Sequence, residues 1–384
     1  MHVLGVVYVN DLVFNYLRRF GFSLLILDIR VRLTLFPLTW DRDLPKVTTK
    51  KQHIEISKLR HINKVRHLIQ VLVLLFILAT SILSLYQSNV AAHAIQWMEG
   101  TDKLFFGTID NIVRWFTNNP EDDLDIIKGS VWSAQIGSFK MSDPLALIGQ
   151  IAAEKQFYWP FVVTILFPVG LTLILGRFFC GWICPAYLFY ELGDVFRQLL
   201  NRAGIRPKNI KLSLKTKYMV LGLGTLISVI FGVVVFPMIY PPAIISRELY
   251  YLIYVGVFGS GFTLLGISLF FEIALSRRAV CRYLCPGGAL YSLLGKFRVL
   301  RIRRKASACI DCVKCNHVCG LGLEPMSDLT GMECNTCTAC IAICPTDALT
   351  LRLGWKDDPL KQSKPNPKTL QAIHVILQNH KEMT

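Results

Sequence analysis

The chain has 384 residues, 53% of them hydrophobic, and a mean hydropathy of +0.43. That is too apolar for an ordinary soluble domain. Its 42 Lys and Arg against 26 Asp and Glu give a formal net charge of +16. The charge sits beside long apolar runs and no nucleic-acid-binding motif is present, so the positive-inside bias of a membrane protein accounts for it and nucleic acid is excluded as a partner.

In chain order, residues 1–60 form an N-terminal extension. Its Leu4–Leu38 stretch is rich in Val, Leu and Phe but is interrupted by Asp11, Arg18, Arg19, Asp28, Arg30 and Arg32. It is neither a clean span nor a cleavable signal peptide. It reads as an over-extended start or as an amphipathic segment on a membrane surface.

Residues 61–298 hold four uncharged runs: Leu68–Tyr86, Gln156–Gly176, Tyr218–Tyr240 and Leu249–Phe271, of 19, 21, 23 and 23 residues. Each is long enough to cross a bilayer as a helix, so an all-α membrane anchor of four transmembrane helices, arranged as two hairpins, is expected. Lys50–His67 carries six Lys/Arg and one acid, Arg177–Lys217 eight and two, and Ser276–Lys305 nine and none. Gln87–Lys155 instead holds five Lys/Arg against nine acids. This alternation puts both termini in the cytoplasm. Tyr158, Trp159, Tyr240, Tyr250 and Tyr251 stand at span ends, as an interfacial aromatic belt would.

An internal repeat recurs at an offset of 101 residues: Arg177-Phe-Phe-Cys180-Gly-Trp-Ile-Cys184-Pro185, ending in Tyr190-Glu-Leu192, against Arg278-Ala-Val-Cys281-Arg-Tyr-Leu-Cys285-Pro286, ending in Tyr291-Ser-Leu293. Residues four apart share a helix face, and Pro suits the first turn of a new helix. Cys180, Cys184, Cys281 and Cys285 therefore have two readings: a redox or metal site built from both repeats, or small apolar side chains packed at helix junctions. Arg177, Arg278 and Arg282 flank these thiols and are expected to lower their pKa. Glu272, just past the fourth run, reads as a proton acceptor or as a carboxylate snorkelling beside Arg277.

Residues 299–354 carry the strongest signal. Cys309-x2-Cys312-x2-Cys315-x3-Cys319 is followed by Cys334-x2-Cys337-x2-Cys340-x3-Cys344-Pro345. Such runs hold [4Fe–4S] clusters, with the fourth Cys of each run serving the other cluster. One cluster then takes Cys309, Cys312, Cys315 and Cys344, and the second takes Cys334, Cys337, Cys340 and Cys319. A pair of zinc sites is the rival, but zinc sites rarely use this run twice. Val299–Arg303 and Ala348–Leu353 alternate as short strands, so an α+β two-cluster bacterial ferredoxin-like domain is expected. Cys319 is followed by Gly320 rather than Pro, so the first half of that domain is trimmed. The tail, 355–384, is read as cytoplasmic, with a short helix over Thr369–Asn379. No Cys-x-x-Cys-His, no histidine inside the four runs and no nucleotide-binding glycine motif occurs, so haem and nucleotide lack a signal.

From about Lys64 to Leu353 the pattern resembles the NapH/MauN group of ferredoxin-type membrane proteins, most specifically through FFCGWICP, CRYLCPGGALYSLLGK and the eight-cysteine domain. It is also similar to the C-terminal half of NosR, without the periplasmic flavin-binding domain. The resemblance implies the membrane component of a quinol dehydrogenase in the bacterial inner (cytoplasmic) membrane. Its substrate is then the quinone pool, and its partners a NapG-like ferredoxin subunit and a periplasmic reductase chain. An alternative is an Fe–S and thiol redox factor for maturation of a metalloenzyme, as the RdxA/CcoG proteins also combine CxxxCP with ferredoxin motifs. Cytoplasmic clusters and periplasmic acceptors require a bridge across the membrane, which the CxxxCP thiols or a bound quinone would supply.

Overall fold

A computed structural model describes residues 50–354 apart from 118–123, 125–126, 131–132, 206, 208–209, 211 and 329. The readings of the N-terminal extension before Lys50 and of the tail after residue 354 lie outside the described residues. Among the described residues the chain forms two compact units, one of 67–170 and 182–290, the other of 50–66, 171–181 and 291–354.

The chain is mostly helical. Helix α1 (Lys50–Ala91) contains, over His61–Ala91, the one described segment long and apolar enough to cross a membrane by length and composition. Helix α2 (Gly100–Phe116) is amphipathic and turns Phe106 and Val113 onto Tyr86. The Tyr86 hydroxyl donates to Asp110 at 2.6 Å. A three-stranded antiparallel sheet follows, β1 (Ile127–Gly129), β2 (Ser133–Ile136) and β3 (Phe139–Ser142), with Ile127 opposite Ile136 and Ser133 opposite Ser142.

Helix α3 (Pro144–Glu154) starts where its sequence says it should. Asp143 is the N-cap and accepts the Leu145 N–H at 2.8 Å, and Pro144 fills the first helical position. The other oxygen of Asp143 accepts the Tyr240 hydroxyl at 2.9 Å, with both residues buried. Tyr240 is thus an internal bridge and not a member of an interfacial belt, whereas Tyr158, Trp159 and Tyr251 are exposed.

Of the other uncharged runs, Gln156–Gly176 contains helix α4 (Trp159–Leu175), with Pro168 inside it. The last two runs are not single helices. Tyr218–Tyr240 breaks after helix α6 (Thr216–Phe231), because Gly232 takes the left-handed conformation at φ +66° and caps it. The four-residue helix α7 (Phe236–Ile239) follows. Leu249–Phe271 straddles helices α8 (Pro241–Val255) and α9 (Ser260–Ala274), which are separated by Gly256 at φ +77°. The Pro241-Pro242 pair starts α8 in the first helical turn, where proline is tolerated. At 1.5 Å per residue, the 17, 16 and 15 residues of α4, α6 and α9 reach only about 22–26 Å. An uncharged run reports what a bilayer tolerates; Gly and Pro decide where the helix stops.

The second unit carries the C-terminal cysteines. Strands β4 (Leu300–Arg304) and β5 (Leu349–Leu353) pair antiparallel with Ile302 opposite Leu351. The end of α4 is tied to this unit, since Leu173 O accepts the Val299 N–H at 3.0 Å and Leu175 O accepts the Thr336 hydroxyl at 2.7 Å.

Replacing Asp143 with Ala removes a helix cap and the carboxylate that accepts the buried Tyr240 hydroxyl. The expected loss is about 2 kcal/mol, read as a lower midpoint of thermal unfolding in detergent; an unchanged midpoint would show that water replaces both bonds.

Candidate metal centres

The two C-terminal cysteine runs share a backbone conformation as well as a spacing. Asp311 and Val313, between the first three cysteines of run one, have φ of 51° and 59°. Their counterparts 25 residues on, Thr336 and Thr338, have φ of 53° and 60°. Left-handed backbone at non-glycine residues costs of order 1–3 kcal/mol each and persists where the surroundings impose it, and a β-branched Val is the harshest case. Alternating right- and left-handed residues turn successive N–H groups inward into an anion-binding nest, a device of Fe–S sites. Of these four residues Thr336 donates to Cys334 Sγ at 3.4 Å, and elsewhere in the unit Leu323 donates to Cys319 Sγ at 3.4 Å and Ala348 to Cys344 Sγ at 3.3 Å.

The fold brings cysteines of the two runs near one another. Cys309, Cys312, Cys315 and Cys344 line one pocket with Pro345. Burial pushes the Cys315 thiol up to about 11, reinforced by Cys312, Cys309 and Cys344. Burial likewise pushes Cys319 up to about 12, with Cys337 and Cys334 as its neighbours, and raises the Cys340 thiol well above its ordinary value beside Cys337, Cys334 and Cys319. Thiols held neutral in this way become thiolate ligands when a metal's positive charge offsets the desolvation. Among the described residues no group of three His, Cys, Asp or Glu could hold a single metal ion. Four cysteines lining one pocket, with backbone N–H groups aimed at cysteine sulfur, are a donor set that fits iron–sulfur clusters.

Charge around the second set is arranged by buried arginines. Arg177 Nη1 pairs with Glu333 Oε2 at 2.8 Å and donates to the Glu333 carbonyl at 3.0 Å, and Ser292 Oγ donates to the same carboxylate at 3.1 Å. Phe179 stacks on Tyr291 with ring centroids 5.3 Å apart. Gly181, inside the first CxxxCP motif, lies against the Cys334–Cys337 loop, where an added Cβ would come within 2.6 Å of the Asn335 carbonyl.

The two CxxxCP motifs are structural repeats. Phe179–Ile183 and Val280–Leu284 are both single π-helical turns, a feature frequent at functional sites. Cys184 and Cys285 are the N-caps of helices α5 (Pro185–Arg202) and α10 (Pro286–Gly295). Cys285 Sγ accepts the Gly288 N–H at 3.3 Å. Cys184, Cys281 and Cys285 belong to the first unit and Cys180 to the second.

Two expectations for this region are corrected. Burial pushes the Cys281 thiol well up, reinforced by Glu272, Cys285 and Cys184, and Arg278 opposes this only weakly. The reason is that Arg278 is committed elsewhere: it pairs with Glu191 at 3.1 Å and Asp194 at 3.0 Å and covers the Tyr187 ring. His67 also pairs with Glu191. Glu272 does not snorkel out to solvent. It is buried and accepts the Ala279 and Val280 N–H groups at 2.9 and 3.0 Å, which pins the start of the second π turn. Sequence reading missed Glu191, Ser292 and Glu333, although the repeat places Ser292 opposite Glu191 and so flags a missing acid.

This arrangement defines an iron–sulfur electron-transfer protein of ferredoxin type, and comparison with known proteins agrees. A family profile described as "4Fe-4S binding domain" matches residues 157–203 and 257–305, which are the two CxxxCP repeats. The chain is 26% identical over 264 residues to the ferredoxin-type protein NapH of Escherichia coli, covering 64% of this chain and 86% of that one. It is 29% identical to the methylamine utilization ferredoxin-type protein MauN of Methylobacillus flagellatus, covering 59% and 79%. It is 29% identical to NapH of Haemophilus influenzae, covering 61% and 83%. The chain is thus similar to the NapH and MauN ferredoxin-type proteins. No solved structure matches it.

Replacing Arg177 with Met takes the cation from a buried carboxylate, at an expected cost of about 3–5 kcal/mol. Thermal unfolding checks this: the single variant should melt well below wild type, and adding Glu333→Gln should recover much of the loss. Additive losses in the double variant would show that the pair is not coupled.

Proposed function

We propose that the chain is a membrane-anchored relay that takes electrons from quinol and passes them through two [4Fe–4S] clusters towards a partner ferredoxin subunit and a periplasmic reductase chain. The observation that carries this reading is the doubled nest of left-handed residues around two four-cysteine sets, in a chain similar to ferredoxin-type proteins. Cys309, Cys312, Cys315 and Cys344 would hold one cluster and Cys334, Cys337, Cys340 and Cys319 the other. When bound, the clusters supply one-electron carriers; the protein supplies thiolates, inward N–H groups and buried cations that hold charge in place.

The anchor in this reading crosses the inner membrane four times, by α1, α4, α6 with the segment after it, and α9, leaving both termini in the cytoplasm. The exposed apolar side chains of α4, α6 and α9 support it: Leu166, Phe167, Leu223, Ile230, Ile267 and Phe270 are among them. The CxxxCP cysteines, Cys180, Cys184, Cys281 and Cys285, serve as the redox or metal thiols between quinol and the eight downstream cysteines. The contact of Gly181 with Asn335 supports that order, since it joins the first motif to a cluster loop.

Anaerobically purified protein should hold about eight iron and about eight sulfide on the downstream cysteines, and Cys312→Ser and Cys337→Ser should each remove about half of that. Stoichiometric zinc without iron would reject the reading. Cys180→Ala and Cys281→Ala should keep protein level and both downstream clusters. They should slow quinol-analogue reduction of the Fe–S signal in membrane vesicles by about tenfold or more. Normal rates in both variants would reduce the motifs to packing.

A further inference from the structure

Among the described residues Arg298 is the largest side chain sealed in the interior, at 1% exposure. Nη1 donates to the Cys334 carbonyl at 3.1 Å and Nη2 to the Thr330 hydroxyl at 3.4 Å. Nε has no hydrogen-bond partner, and among the described residues no carboxylate pairs with this guanidinium. The nearest acid in sequence to Cys334, Glu333, is already neutralised by Arg177. The site is made for this side chain, because a Cβ on Gly176 would stand 2.7 Å from Arg298 Cδ. A buried cation without an anion costs several kcal/mol. A fold that goes to this length to bury one is expected to place a negative group beside it, and the thiolates of Cys334 and its set are that group.

A second cation faces the same set. Arg66 of α1 is buried, and its guanidinium acts on the Cys337 thiol against the upward push of burial. The other set is built differently. Its nearby cation, Arg304, is ion-paired with Asp311 at 3.0 Å. Cys312 is exposed, with half-buried Lys314 beside it, so water and salt screen charge there.

Adding an electron to a cluster adds negative charge. A cation held in a low-dielectric interior stabilises the reduced form more than the oxidised one, and a screened or ion-paired cation does so far less. Resting on the two-cluster reading above, we infer that Arg298, supported by Arg66, raises the reduction potential of the centre held by Cys319, Cys334, Cys337 and Cys340 above that of the other centre. Arg298 acts through charge and is a positioning residue for the electron, which it settles on the inner centre.

The test is a redox titration of the full-length protein followed by electron paramagnetic resonance, with Cys312→Ser used to identify the outer signal. Arg298→Gln keeps N–H donors and loses the charge. It should lower the inner potential by at least a tenfold change in the reduction equilibrium, about 59 mV for one electron, and leave the outer potential unmoved. Arg298→Lys should stay near wild type. No shift in Arg298→Gln, or an equal shift in both signals, overturns the inference while leaving the two-cluster reading intact. If Arg298→Gln fails to bind iron, Arg66→Gln gives the decision: a downward shift confined to the inner signal supports the inference, and no shift overturns it. Fewer than two cluster signals in wild type would instead overturn the reading on which the inference rests.

Discussion

Neutralised burial of arginine is the constraint around which this chain is organised. Each CxxxCP repeat opens with an arginine, and both are sealed from water, at 2% exposure for Arg177 and 4% for Arg278. A guanidinium in that position destabilises the fold unless a carboxylate meets it. Arg278 finds Glu191 and Asp194 on α5. Arg177 finds Glu333, one residue before a cysteine of the C-terminal set, with Ser292 helping to hold it. The π turns that carry Cys180 and Cys281 follow directly from these arginines. The second turn is further pinned by Glu272, so carboxylates fix where the thiols stand.

The C-terminal unit applies the same logic to thiolates through the backbone. Asp311, Val313, Thr336 and Thr338, set between the cysteines, accept left-handed dihedrals, and N–H groups aim at sulfur. Strain of that kind, repeated at an offset of 25 residues, is expected only where the surroundings are charged and closely packed. The two-stranded β4–β5 ribbon closes the unit and brings Cys344 back beside Cys309.

Much of this was legible from local pattern. The cysteine spacings, the 101-residue repeat and the alternation of the flanking strands each involve residues close in sequence or copies of one another, and the matching π turns show that the repeat is structural. The rest was hidden for physical reasons. Uncharged runs record solvent preference and are blind to Gly232 and Gly256, which end helices inside them. Tyr240 looks interfacial by position, yet its hydroxyl answers Asp143, 97 residues away. Arg177 looks like a positive-inside residue, yet its partner lies 156 residues away. A single-residue mismatch, Ser292 against Glu191, was the only sequence trace of that long-range pair.

That mismatch bears on modularity. Had both repeats kept their own acid, the eight-cysteine segment could have been gained or shed as a free-standing unit. With Ser292 in place, the acid that completes the first repeat is borrowed from the segment itself, and cutting the chain before it would strand a charge in an apolar interior. Any shorter protein built from the two repeats alone must therefore restore a carboxylate at the position of Ser292 or give up the arginine at that of Arg177.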